Sequence, residues 1–152
     1  MNEKFAQYVS QMPTLLDELK SCSPQVGLPK QEIELPDRAV YLFSRSEEHL
    51  YVGRTNRLRQ RIKEHLKGRN NDAPFAFKMA RHATGLFKGK GQPTRKDLEN
   101  HEIFSPAFVQ AKTELAALQW RFVEIADPNL QCLFEIYASI SLEAKFNDFE
   151  NH

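Results

Sequence analysis

Three side chains that can bind a phosphate or move a proton recur at four-residue spacing in one predicted helix. The apolar pattern predicts a helix over residues 55–66, which places Arg57, Arg61 and His65 on one stripe of its surface. A guanidinium binds phosphate oxygens through its planar fork and can stabilise the charge of a phosphoryl transition state. The alternative is a solvated helix face, which the spacing alone favours.

Two tyrosines precede this helix on the strands of a predicted β-hairpin. Tyr41 lies in the strand-like run 39–44 and Tyr51 in the run 49–53, on either side of a polar loop. On neighbouring strands the two phenols can emerge together at one edge of a sheet. Core packing is the commoner role of aromatic residues in strands. A catalytic phenol would in addition need its pKa of about 10 lowered, or its proton passed to a neighbour.

The third candidate is a carboxylate in the last predicted helix, over residues 127–145. The residues that form the buried arc of this helix are Leu130, Leu133, Phe134, Tyr137, Ile140 and Ala144. Glu135 projects outside that arc, so it is not a packing residue. A carboxylate on a rigid helix can bind Mg²⁺, which keeps several waters, whereas an isolated surface glutamate is the simpler interpretation.

The order and spacing of these residues resemble the GIY-YIG endonuclease family. The segment Ala39-Val40-Tyr41 stands where the first motif is expected, and Tyr51-Val52-Gly53 follows with its tyrosine ten positions later. Arg61 lies ten positions after Tyr51, and His65 four positions after Arg61. Alanine replaces the glycine of the first motif, and valine replaces the isoleucine of both motifs, which is conservative in a strand.

The resemblance continues toward the end of the chain. Glu135 followed by Asn147 resembles the metal-binding glutamate and the C-terminal asparagine of the family, and Gly53 and Asn147 are expected to support the site. The gap of 74 positions between Arg61 and Glu135 is longer than in compact relatives. The alternative metal-binding residues are Glu102 and Glu143.

The resemblance implies an α+β fold with a small three-stranded antiparallel sheet flanked by helices, and a single-metal phosphodiesterase site. Tyr41 and Tyr51 are then expected to contact the attacking water or the scissile phosphate, and either tyrosine can be the general base. Arg61 would stabilise the charge of the phosphorane, and His65 would support the site. Glu135 would hold a divalent ion, Mg²⁺ or Mn²⁺.

The function implied is metal-dependent endonucleolytic hydrolysis of DNA phosphodiester bonds, with RNA not excluded as a substrate. The alternative from another class is a catalytically inactive nucleic-acid binding module with the same fold. A further alternative is an interaction protein that docks a partner through its N-terminal helix. Cutting both strands with one metal site requires two protomers or two successive events, so a homodimer is one arrangement to expect.

Charge supports a polyanionic partner. Residues 51–96 hold 13 Lys and Arg against two acidic residues, although the whole chain has a net charge of only +1. Such a block creates a positive potential suited to a nucleic-acid backbone, or a basic surface that the acidic remainder neutralises. The residues predicted to bind nucleic acid are Arg54, Arg57, Lys78, Arg81, Lys88, Lys90 and Lys96. The interleaved phenylalanines are expected to be core residues rather than stacking platforms.

The elements that must position these residues divide into two regions. Residues 1–36 are predicted to form an N-terminal helical extension, with a helix over 3–21 that Pro13 kinks or divides, and a proline-rich connection. Residues 37–152 are predicted to form the nuclease-like domain, with a basic insertion at 70–117. Residues 118–125 should supply its third strand.

Length and composition exclude several classes of protein. The 152 residues suit one globular domain, and 41% hydrophobic and 27% charged residues argue against disorder or a collagen-like chain. No apolar run approaches the ~18 residues of a membrane span, and the polar start differs from a signal peptide. We therefore expect a cytoplasmic protein with no membrane partner, in which Cys22 and Cys132 are reduced.

Overall fold

A computed structural model of the chain describes residues 1–149, so the last three residues of the predicted range 37–152 lie outside it. Within the described part, six helices and four strands follow one another in a mixed α+β order. Their bounds are α1 Glu3–Ser21, β1 Gln25–Val26, β2 Ala39–Arg45, β3 Glu48–Thr55, α2 Leu58–Lys67, α3 Pro74–Thr84, α4 Arg95–Leu98, α5 Phe104–Ala116, β4 Gln119–Glu124 and α6 Pro128–Ser141.

The strands form one antiparallel sheet in the order β1-β4-β2-β3. The expected antiparallel sheet is confirmed, and the predicted hairpin and third strand are its β2, β3 and β4. The sheet has four strands rather than three, because part of the predicted connection pairs with β4 through Gln25 and Val26. Trp120 of β4 donates from Nε1 to the carbonyl of Gly27 at 2.9 Å, which holds this short strand against the sheet.

The central strand β2 is buried on both faces, and its alternating side chains divide the core into two layers. Tyr41 and Phe43 point into a layer that is completed by α2, α3 and α5. Val40 and Leu42 point into the opposite layer, which is completed by α1 and α6. The sheet therefore separates two helical layers, and α2 and α6 approach it from opposite sides.

Helix α1 has the predicted bounds and runs through Pro13 as one continuous element. It packs against β4 and α6 and buries Met12 and Leu19. Phe5 and Val9 of this helix remain exposed. No helix within residues 1–149 is long and apolar enough to span a bilayer.

The segment after α6 returns along the outer edge of β3. The backbone amide of Lys145 donates to the carbonyl of His49, and that of Phe146 donates to the carbonyl of Leu50. Helix α6 therefore ends at Ser141, before the predicted end near residue 145, because the following residues are used to cover the strand.

Candidate active site

Tyr41 is buried in the middle of β2, directly across from Gly53 of β3. A Cβ atom at Gly53 would overlap the phenol oxygen and the adjacent ring carbon of Tyr41. Glycine at this position therefore makes room for the ring to lie over the neighbouring strand. The glycine of the second motif thus makes room for the tyrosine of the first motif, and the supporting role of Gly53 in the site stays a prediction.

His65 of α2 is fully buried, and its Nε2 lies 2.7 Å from the phenol oxygen of Tyr41. The rings of Phe43 and Tyr51 pack edge-on against the imidazole, at centroid distances of 5.5 and 5.7 Å. Burial, assisted by the positive charge of Arg61, lowers the pKa of His65 to about 3. The imidazole is therefore neutral at physiological pH, and its Nδ1 atom has no hydrogen-bond partner among the described residues.

Both phenols are protonated at neutral pH, since burial raises the pKa of each tyrosine. The pKa of Tyr41 is raised by burial and by the proximity of Tyr51, and the charge of Arg61 opposes this. The pKa of Tyr51 rises to about 12 through burial, with Arg61 lowering it and Glu135 raising it. Arg61 and Glu135 thus have opposite effects on the pKa of the same two phenols.

Arg61 projects from α2 beside Tyr41, with about a quarter of its side chain exposed. Its Nη1 lies 3.1 Å from the carboxylate of Glu64 and also donates to the carbonyl of Asp72 at 3.4 Å. Burial lowers the pKa of Arg61, but its contacts with Tyr41 and Glu64 more than compensate, so the net shift is upward. The site therefore holds a fixed, charged and only partly solvated guanidinium.

Glu135 reaches the same region from α6, and 19% of its side chain is exposed. One carboxylate oxygen accepts a hydrogen bond from Nε of Arg54 at 3.0 Å. Burial raises the pKa of Glu135, which the charges of Arg54 and Lys78 oppose. Glu135 is therefore close enough to Tyr41 and Tyr51 to affect the pKa of both phenols, as Arg61 does from α2.

The donor set around Glu135 suits a cation that keeps most of its water. Within residues 1–149, no three His, Cys, Asp or Glu side chains come close enough to hold a metal ion. A single carboxylate is nevertheless sufficient when waters and substrate phosphate complete the shell, as is usual for Mg²⁺. The alternatives Glu102 and Glu143 are both exposed, outside the helices and strands. Glu135 is thus the best placed of the three carboxylates.

The predicted nucleic-acid-binding residues separate into two groups. Arg54, Arg57 and Lys78 lie at the site, where Arg54 pairs with Glu135 and Arg57 lies 3.5 Å from Glu64. Lys78 donates to the carbonyl of Phe146 at 3.2 Å and is close to Glu135.

The second group lies on or beside residues 85–94, which we call the basic loop. Lys88 and Lys90 are exposed in this loop, and Lys96 is exposed in α4 just after it. Arg81, by contrast, points inward: its Nη1 donates to the carbonyl of Leu86 at 2.8 Å, and its guanidinium lies over the ring of Phe77. Its contacts are those of a packing residue.

Asn147, which is predicted to support the site, binds the edge strand of the sheet. Its side-chain oxygen accepts from the backbone amide of Val52 at 2.7 Å, and its Nδ2 donates to the carbonyl of the same residue at 2.8 Å. This pair of bonds copies the pattern of a neighbouring strand. It fixes β3 between Tyr51 and Gly53, the two motif residues that flank Val52.

Two further residues shape the site without having been predicted. Glu64 holds both Arg57 and Arg61, and its position three residues after Arg61 was a detectable signal for such a pair. Phe75 stacks on Tyr51 with ring centroids 4.7 Å apart and planes 8° apart. Nothing in the sequence around Phe75 indicated this contact.

Comparison with known proteins agrees with this geometry. Residues 38–105 match the family model of the GIY-YIG catalytic domain, a segment that runs from β2 into the start of α5. This part of the chain is therefore similar to a GIY-YIG catalytic domain. Searches of curated proteins and of solved structures gave no match. GIY-YIG proteins are generally nucleases, so the domain implies a nucleic-acid substrate.

Proposed function

We propose that this protein is a metal-dependent endonuclease that hydrolyses DNA phosphodiester bonds. The observation that carries the proposal is the convergence of Tyr41, Tyr51, Arg61 and Glu135 around β2 and β3, with His65 bonded to the first phenol. These groups lie on four elements, the neighbouring strands β2 and β3 and the helices α2 and α6, which pack on opposite sides of the sheet. Core packing alone does not require two charged groups close to a buried phenol and a partly buried one.

Arg61 would bind the scissile phosphate and stabilise the charge that grows on its oxygens during attack. Its contacts with Glu64 and the carbonyl of Asp72 hold the guanidinium before substrate arrives, so little reorganisation is needed in the transition state. Partial burial strengthens its interaction with an anion, because fewer waters screen the charge.

The hydrogen bond between Tyr41 and His65 determines what the phenol offers to substrate. If the imidazole proton is on Nδ1, Nε2 accepts from Tyr41, and the phenol oxygen can accept a hydrogen bond from the attacking water. If the proton is on Nε2, the imidazole donates to Tyr41, and the phenol can donate to a phosphate oxygen. Tyr51 could make the other contact: it could donate to a phosphate oxygen if Tyr41 accepts from the water, or accept from the water if Tyr41 donates to the phosphate.

Glu135 would hold the divalent ion, Mg²⁺ or Mn²⁺, in place of its present partner Arg54. A bound divalent ion supplies Lewis-acid stabilisation of phosphate charge and lowers the pKa of a bound water. Arg54, once released from Glu135, would be free to bind a neighbouring phosphate. Arg54 could therefore pair with Glu135 in the free protein and bind nucleic acid in the complex.

Cleavage of supercoiled plasmid tests the proposal, with Mg²⁺ and with EDTA. Wild type should nick or linearise the plasmid only with Mg²⁺, and Arg61→Ala and Glu135→Ala should be inactive while keeping the wild-type circular dichroism spectrum. The matched controls are Arg45→Ala and Glu124→Ala, which remove exposed side chains of the same types from β2 and β4. Equal cutting by all five proteins, or cutting in EDTA, would contradict the proposed site. Nicked plasmid that appears before linear plasmid would indicate successive single-strand events.

A further inference from the structure

A row of aromatic rings leads from the candidate active site to the basic loop. Phe75, which stacks on Tyr51, contacts Phe146 at a centroid distance of 5.6 Å. His82 stands edge-on to Phe146 at 5.2 Å and to Phe87 at 5.3 Å. Phe87 is therefore the outer end of a continuous series of ring contacts that begins at a tyrosine of the site.

Phe87 differs from the other phenylalanines of the basic insertion in its exposure. Phe75 and Phe77 are buried in the core, as their sequence pattern predicted, whereas 46% of Phe87 is exposed. Lys88, the next residue in the chain, and Lys90, three positions after Phe87, are exposed as well, so two positive charges follow the ring in the basic loop. The ring of Phe87 is nearly perpendicular to that of His82, at 86°, so it contacts a neighbouring side chain while it remains largely open to solvent.

We propose that Phe87 stacks on an unpaired base of the DNA substrate, while Lys88 and Lys90 bind the adjacent phosphates. Aromatic platforms beside basic residues bind single strands in this way, because every base has a face that can stack and every nucleotide carries a charge. A fully paired duplex keeps its base faces stacked on one another and offers none to Phe87. The inference rests on the proposed function and extends it: the preferred substrate has a short unpaired segment near the scissile bond.

Binding in EDTA tests this without cleavage. Fluorescence anisotropy would compare a labelled duplex that carries a short bulge with the same duplex fully paired. Phe87→Ala should bind the bulged duplex about tenfold more weakly than wild type, which corresponds to about 1.4 kcal/mol, and the paired duplex less than about twofold more weakly. Phe87→Tyr should keep wild-type affinity for both, since it keeps the stacking face. Phe5→Ala is the matched control, because Phe5 is 44% exposed on α1.

The charge variant separates stacking from electrostatics. Lys88→Gln combined with Lys90→Gln should weaken binding to both duplexes alike and reduce the salt dependence, whereas Phe87→Ala should leave the salt dependence unchanged. Equal loss on both duplexes for Phe87→Ala, no loss on the bulged duplex, or no wild-type binding to either would overturn the inference. Binding that depends on Phe87 in a protein that never cleaves plasmid would support the stacking site and reject the proposed catalysis.

Discussion

The phenol of Tyr41 fills the space that a side chain at Gly53 would need, so the two motif residues are a single packing unit across the hairpin. The tyrosine cannot keep this position with any larger residue opposite it.

Gly53→Ala should therefore displace the ring of Tyr41 and destabilise the protein by about 1–3 kcal/mol, the usual cost of overpacking a core. Urea denaturation would measure the stability, and plasmid cleavage the activity. Arg45→Ala is the control, because it changes an exposed side chain at the end of the same hairpin. Unchanged stability and activity in Gly53→Ala would show that the phenol can move aside without cost.

The neutral state of His65 makes stability depend on pH. Because its folded-state pKa of about 3 lies below the usual value of 6.5, the unfolded chain binds the proton first as pH falls. Its contribution to the free energy of unfolding is fully present above pH 6.5 and is progressively lost between pH 6.5 and 3. The loss reaches about 2 kcal/mol at pH 5. Unfolding free energies of wild type and His65→Gln, measured by urea titration across this window, should diverge in slope. Parallel curves would mean that His65 titrates normally.

Arg54 is expected to compete with the metal ion for Glu135. Arg54→Ala should bind Mn²⁺ or Mg²⁺ several-fold more tightly than wild type, because the ion no longer has to displace a guanidinium. Isothermal titration calorimetry without DNA at pH 8 would measure the affinity, at a pH where loss of Arg54 still leaves Glu135 ionised. Arg57→Ala is the control, since this exposed arginine pairs with Glu64. Weaker binding by Arg54→Ala alone would indicate that Arg54 supports the metal site.

Glu64 is expected to position Arg61 rather than to contact substrate. Glu64→Ala should lower kcat about 10- to 100-fold with little change in KM, because misplacing a transition-state donor affects the chemical step most. Glu64→Gln should recover part of the loss, since its amide oxygen still accepts a hydrogen bond from Arg61. Lys63→Ala, an exposed change on the same helix, should be silent. A loss confined to KM would instead assign Glu64 to substrate binding.

The hairpin and the helix after it were predictable from sequence because their signals are local. Two short runs rich in aromatic and β-branched residues predicted β2 and β3, and four-residue spacing placed Arg61 and His65 on one face of α2. The interpretation of that face as solvated was wrong for His65, which is buried against aromatic rings from other elements. Helical periodicity reports which residues share a face, but not what covers that face.

Contacts between segments that are distant in the sequence were harder to predict. The pairing of β1 depends on Trp120 binding the carbonyl of Gly27, a contact that no local pattern encodes. Glu135 could be selected because it lies outside the apolar arc of its helix, but its approach to Tyr41 and Tyr51 depends on how α6 packs across the sheet. The assignment of Arg81 to nucleic-acid binding had the same weakness, because charge in a sequence does not reveal which guanidiniums turn inward.

The bonds that Asn147 makes to Val52 have a consequence for the behaviour of the protein in concentrated solution. Strand β3 is the last in the sheet, and residues 145–147 bond to the carbonyls of His49 and Leu50 and to both backbone groups of Val52. An uncovered edge of this kind can recruit a strand from another molecule and seed aggregation or domain swapping. The tail that steadies the tyrosine-bearing strand is thus also expected to keep the protein from associating with itself.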